Sequence, residues 1–261
     1  MPVNSPLEVA MPALLSMLIL SAGLASVNPG DFPSSLWTPT GLSGYWRIAT
    51  GDFVPDGEMR LGAGAGVLFP KEDFGTVPLV MTAAWGLGRG LEAGASIPFY
   101  IHDSVFEEGL TGDVSAGIKY LYETARGGTS LSLTGSLSLP TGDLPRDRGA
   151  EAGVGFCTST VYRLVRLSVS AQYFANGGDD PFSGRIVDGI EANVGCTSYI
   201  LPETQVWMGA GSRTGSDPVV AAGAMWSAYP WLMAGASGEA LMADDPSFGV
   251  SVSVSMYPGL L

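Results

Sequence analysis

Positive charge is scarce in this chain. Only 12 of its 261 residues are Lys or Arg, against 25 Asp and Glu, which leaves a net charge of −13. No basic cluster marks a nucleic-acid footprint, so that partner class is set aside. Charged residues of both signs reach only 14%, where ordinary soluble domains carry roughly 25%. Histidine occurs once, at His102, which leaves little for metal or acid–base chemistry. The two cysteines, Cys157 and Cys196, have no CxxC or metal-ligand spacing and read as small buried thiols. Long apolar runs are missing as well. After the first 25 residues nothing approaches the roughly 20 apolar residues that a spanning helix needs. Yet the mean hydropathy is positive, at +0.27.

High hydropathy without a membrane helix fits a membrane barrel, in which lipid-facing residues alternate with lumen residues. The chain is also rich in glycine, with 37 residues, about twice the usual share. The stretch SLSLTGSLSLPTGD (130–143) shows the alternation plainly. Leu131, Leu133, Leu137 and Leu139 share one parity, and Ser130, Ser132, Thr134, Ser136 and Ser138 the other. A period of two is the strand period. Val250, Val252, Val254 and Met256 alternate with serines in the same way. So do Val114, Ala116, Ile118 and Tyr120 with Ser115, Gly117 and Lys119, and Leu91, Ala93, Ala95 and Ile97 with Glu92, Gly94 and Ser96.

From residue 58 onward the pattern predicts about twelve strands: 58–70, 77–87, 90–101, 112–123, 128–139, 150–162, 165–175, 187–199, 204–213, 218–228, 231–242 and 246–257. Alternate connections are short, as at GLGRG (86–90), and the others longer and acidic, as at HDSVFEEGLTGD (102–113). Segregation of loop length by parity is the outer-membrane barrel pattern, with short turns on the periplasmic side. The expected fold is therefore all-β, an antiparallel up-and-down transmembrane barrel. Tyr122, Tyr162, Tyr229, Tyr257 and Phe99 fall near strand ends and are expected to form an interfacial girdle. The ninth and tenth strands alternate poorly, and their faces stay unassigned.

Residues 1–25 read as a signal peptide, with an apolar core and small residues before Ala25, although no Lys or Arg precedes Arg47. Residues 26–57 form an N-terminal segment, and 58–261 the barrel. The segment holds one further strand-like piece, SGYWRIAT (43–50). As a wall strand it would make an odd count, so the segment either enters the lumen or its periplasmic mouth, or hangs as a loose tail. In the first case Arg47 would meet Glu58, Glu92 and Glu123.

TGDVSAGIKY (111–120) and, some way on, LSLPTGD (137–143) resemble the outer-membrane barrel family labelled as the MetA pathway of phenol degradation. GLSGYWRIATGDFVPDGEMRLG (41–62) is similar to the opening of related envelope barrels. The resemblance implies a transporter-like barrel in the bacterial outer membrane, with lipid around it and small solutes as its partners.

Inward-parity charges fall into two groups. Glu58, Arg60, Glu92, Lys119, Glu123 and Arg166 lie toward the periplasmic end, and Glu151, Glu191, Arg213 and Glu239 toward the outer end. Such rings are either structural ion pairs or a constriction that selects solutes by sign. His102 and Ser104 form an HxS pair, which outer-membrane lipid hydrolases also use, but the downstream VFEEGL offers no orienting partner. The GxG repeats precede no helix and are not dinucleotide fingerprints. The acidic pairs Asp179–Asp180 and Asp244–Asp245 lack a spaced ligand loop for a cation. The sequence thus favours passive solute passage without catalysis, cofactor or metal. An occluded, surface-interacting barrel is the alternative, and a lipid hydrolase the third reading.

Overall fold

The computed structural model describes residues 44–45, 48–50, 52–69, 77–102, 110–125, 128–141, 150–176, 179–180, 184–185, 188–214, 217–242 and 247–260. Among these, twelve long strands form the wall: β1 (Met59–Phe69), β2 (Val77–Gly88), β3 (Leu91–His102), β4 (Val114–Ala125), β5 (Thr129–Leu139), β6 (Glu151–Tyr162), β7 (Val165–Asn176), β8 (Gly189–Leu201), β9 (Thr204–Arg213), β10 (Val219–Tyr229), β11 (Leu232–Leu241) and β12 (Ser247–Met256). Each pairs antiparallel with its sequence neighbours, and β12 pairs with β1, so the sheet closes on itself. Closure satisfies every edge, which a strand wall in lipid requires. The signal-peptide reading falls outside the described residues.

The serine–leucine stretch shows why these residues choose strands. Ser132 is fully buried, while Leu133, Leu137 and Leu139 are exposed. The same parity leaves Val250, Val252, Val254, Ile118, Tyr120, Tyr122, Val154, Tyr162, Ile190 and Val194 on the outer surface. An apolar band of this extent on the outside of a closed sheet is a lipid-facing surface. The girdle expectation holds for Tyr122, Tyr162 and Tyr229, each more than half exposed.

Tyr257 corrects it. Only 5% exposed, it packs inside with Val54 and Ala84. The alternation that turns Val254 outward turns Tyr257 inward, and its N–H, bonded to the Trp231 carbonyl at 2.9 Å, continues the ladder past β12. The ninth and tenth strands now have faces. Gln205, Trp207, Val219, Ala221 and Met225 point in, and Val220 and Trp226 point out. Glycine hides the pattern here, because the Trp207 ring lies against Gly223 on the neighbouring strand.

The short connections are tight turns. Arg89 and Gly90 both adopt positive φ (56° and 72°) between β2 and β3, the geometry that two-residue hairpins favour. The piece 43–50 is not a thirteenth wall strand. Gly44–Tyr45 and Ile48–Ala49 pair with each other as a minute hairpin, and Ile48–Ala49 lies against β7 and β8.

Candidate functional site

Among the described residues before β1, Thr50 and Val54 lie buried inside the barrel. Each is 1% exposed, and four wall side chains from four strands contact the residues from Thr50 to Val54. Glu92 on β3 accepts the Val54 N–H at 2.9 Å through Oε2. Lys119 on β4 donates to the carbonyl oxygens of Thr50, at 3.2 Å, and of Asp52. Its ammonium also stands 3.6 Å from Glu92 Oε2 and 4.3 Å from the centre of the Phe53 ring. Arg166 on β7 pairs with the Asp52 carboxylate. Thr50 Oγ1 donates to the same carboxylate at 3.0 Å, and the Cys157 thiol reaches the Thr50 carbonyl at 3.6 Å.

Local sequence makes this approach possible. Between Val54 and β1 the backbone presses onto Gly86: Gly57 N–H bonds the Gly86 carbonyl at 2.8 Å, and Gly86 N–H returns to Glu58 at 3.1 Å. A Cβ on Gly86 would stand 2.1 Å from the Pro55 carbonyl oxygen, so only glycine admits the segment there. Arg60 is 2% exposed and Tyr257 stands beside it. Burial pushes the Tyr257 phenol up, an effect that the Arg60 guanidinium opposes. Trp207, Met225 and Met233, all buried, fill further inward positions near the same end.

The structure therefore gathers Arg60, Glu92, Lys119 and Arg166 around one segment. Glu58 departs from that group: its carboxylate rests over Gly259 of the terminal turn. Glu123 pairs with Leu131 across β4 and β5, but its side chain lies outside the described residues, as does Arg47. The segment's charged contact is Asp52, which the sequence reading passed over. Its signal was present: Asp52 is an acid placed close before a strand whose inward neighbours include Arg60 and, farther round the wall, Lys119 and Arg166.

At the outer end, Arg213 on β9 grips Glu151 on β6 through both nitrogens, at 2.5 and 3.4 Å. The guanidinium also lies 4.4 Å from the Phe174 ring centre. Glu191 is the cross-strand neighbour of Arg213 and accepts from Asn193 Nδ2 at 3.1 Å. Glu239 belongs to another part of the ring, on β11 between Ala221 and Gly249. Apart from Glu239 on β11 and Arg60 on β1, the flank formed by β11, β12 and β1 turns mostly small residues inward. Across β11, β12 and β1 the inward pairs are Ser237 with Ser251, Ser251 with Gly66, and Ser253 with Gly64.

Cys157 and Cys196 are free and buried. Among the described residues no three His, Cys, Asp or Glu side chains converge on a metal position. His102 ends β3, and its side chain, Ser104 and Asp244–Asp245 lie outside the described residues.

No family model matches the chain, and no curated protein does. Solved structures do. The outer membrane channel from Pseudomonas putida F1 superposes with a TM-score of 0.62 at 11% identity, covering 78% of this chain and 96% of that one. The NanC porin gives 0.60 at 10% identity, covering 75% and 98%. The KdgM porin in complex with disordered oligogalacturonate gives 0.57 at 7% identity, again covering 75% and 98%. At these identities the likeness is one of fold: a closed twelve-strand antiparallel barrel of the kind that outer-membrane channels use.

Proposed function

We propose that the chain is a bacterial outer-membrane channel for passive passage of small solutes, with the segment 26–57 closing the inner half of its own lumen. The observation that carries this reading is the passage of Thr50–Val54 through the barrel interior, held by Glu92, Lys119 and Arg166. The apolar outer band supports insertion in lipid, and the serine–glycine flank of β11, β12 and β1 supports an open outer vestibule. The likeness to outer-membrane channels and porins agrees with it, and the resemblance of 111–120 and 137–143 to the MetA-pathway barrels points to the same transporter-like class. The lumen charges act as a constriction, the inner set around the segment and the outer set as the Arg213–Glu151 bar. No chemistry on the solute is required.

The buried Trp207, Met233 and Tyr257 favour a second reading, a permanently occluded structural barrel. Single-channel current in a planar bilayer separates the two. The full chain is expected to show small or infrequent openings, and deletion of residues 26–54 to raise conductance with the barrel still folded. Silence of both proteins would leave the occluded barrel standing.

A further inference from the structure

The inner cluster is unbalanced, and its balance is supplied by the segment rather than by the wall. Among its described side chains, the wall gives three cations, Arg60, Lys119 and Arg166, and one carboxylate, Glu92. Lys119 is fully buried and Arg60 nearly so. What Arg166 and Lys119 receive from the segment is oxygen, apart from the Phe53 ring beside the ammonium: the Asp52 carboxylate for one, the Thr50 and Asp52 carbonyls for the other. A carboxylate with neighbouring acceptors is also what a small organic acid presents.

We propose that Lys119 and Arg166 form an anion-binding subsite inside the lumen, that Asp52 occupies it as a tethered stand-in, and that the transported solute is a small carboxylate which takes its place. The proposal rests on the channel reading above. Its physical basis is the cost of leaving the partly buried Arg166 without its carboxylate and the buried Lys119 with Glu92 alone. Withdrawal of the segment alone meets that cost, and exchange for another carboxylate avoids it. A neutral solute brings no replacement charge, and a cation adds to the imbalance. Because the solute binds only when Asp52 has left, it shifts the population toward the open state.

The test uses the full chain in a planar bilayer in KCl, with succinate as probe and its neutral diamide, succinamide, as control. Succinate should raise the open fraction of the unmodified protein, and succinamide should not. Asp52→Asn should be open without any probe, by about tenfold if the unmodified channel is open a few per cent of the time. In that variant succinate should now interrupt the KCl current, and the further change Arg166→Gln should abolish the interruption. If Asp52→Asn conducts but ignores succinate, or responds equally to succinamide, the anion subsite is overturned while the channel stands. If neither Asp52→Asn nor the 26–54 deletion conducts, with folding verified by heat-shifted electrophoretic mobility, the channel reading falls and the subsite with it.

Discussion

Val54 donates its main-chain N–H to Glu92 Oε2 at 2.9 Å across 38 residues of sequence. That one oxygen also faces the Lys119 ammonium at 3.6 Å. A single carboxylate thus serves the segment and the wall together, and both side chains are fully buried. Glu92→Gln keeps an acceptor for Val54 but leaves Lys119 with less compensation. Removing one partner of a buried pair costs about 3–5 kcal/mol. Urea unfolding in lipid vesicles should show a loss of that order, and Glu92→Gln/Lys119→Met should recover part of it. A single variant as stable as the unmodified protein would mean that the pair is already well hydrated.

The outward face of the wall should refuse charge. Leu133→Arg, near the middle of β5, should cost about 2–4 kcal/mol, and Thr134→Arg, on the lumen side, clearly less. Equal sensitivity at both positions, read by the same unfolding assay, would contradict the lipid assignment of the Leu133 face.

Gly86 is where the entering segment touches the wall most closely. Gly86→Ala forces a Cβ against the Pro55 carbonyl, and overpacking of this kind costs about 1–3 kcal/mol. The variant should loosen the segment, seen as faster proteolysis of the N-terminal portion and higher conductance. Gly238→Ala is the control, since its Cβ meets nothing nearer than the Gly249 carbonyl at 3.7 Å. If both changes behave alike, the contact at Gly86 does not hold the segment.

Cys157 points into the lumen and contacts the Thr50 carbonyl. Cys196, two strands away on β8, has the opposite parity. Thiols on opposite faces of one sheet cannot bridge without breaking the ladder between them. Alkylation followed by mass measurement should add two groups after unfolding, with or without reductant. A requirement for reductant would show a disulfide.

Loop length sets the orientation. Cysteine placed at Asp179 in the long β7–β8 connection, with both native cysteines replaced by alanine, should react with an impermeant reagent on whole cells. Cysteine at Glu203, exposed in the tight β8–β9 turn, should react only after the cells are opened. The reverse pattern would invert the barrel.

The wall was legible because its information is local. Leu133 beside Ser132 states a face within two residues, and repetition of that statement along most of the wall, with the turn signals between strands, places the strands to within about two residues of their ends. Where glycine replaces the informative residue, as at Gly209, Gly211 and Gly223, local pattern fails, and the inward face of β9 emerges only once Trp207 is seen against β10. The segment's docking was legible in outline but not in detail. The partner of Asp52 is Arg166, 114 residues away, and no spacing rule connects them. Tyr257 illustrates a different error, in which a residue-type expectation for an interfacial tyrosine overrode the parity that Val254 and Met256 had already set.

The pairing of β12 with β1 imposes an order in time. β1 leaves the ribosome before every other strand of the wall, yet one of its two neighbours is the last to be made. Until β12 arrives the sheet has an open side, and the stretch before β1 can be laid across β3, β4 and β7 from that side. Once the seam has formed, the same stretch would have to be threaded endwise into a finished ring. Once β12 and β1 are paired, the segment enters and leaves the lumen along the axis and never through the wall.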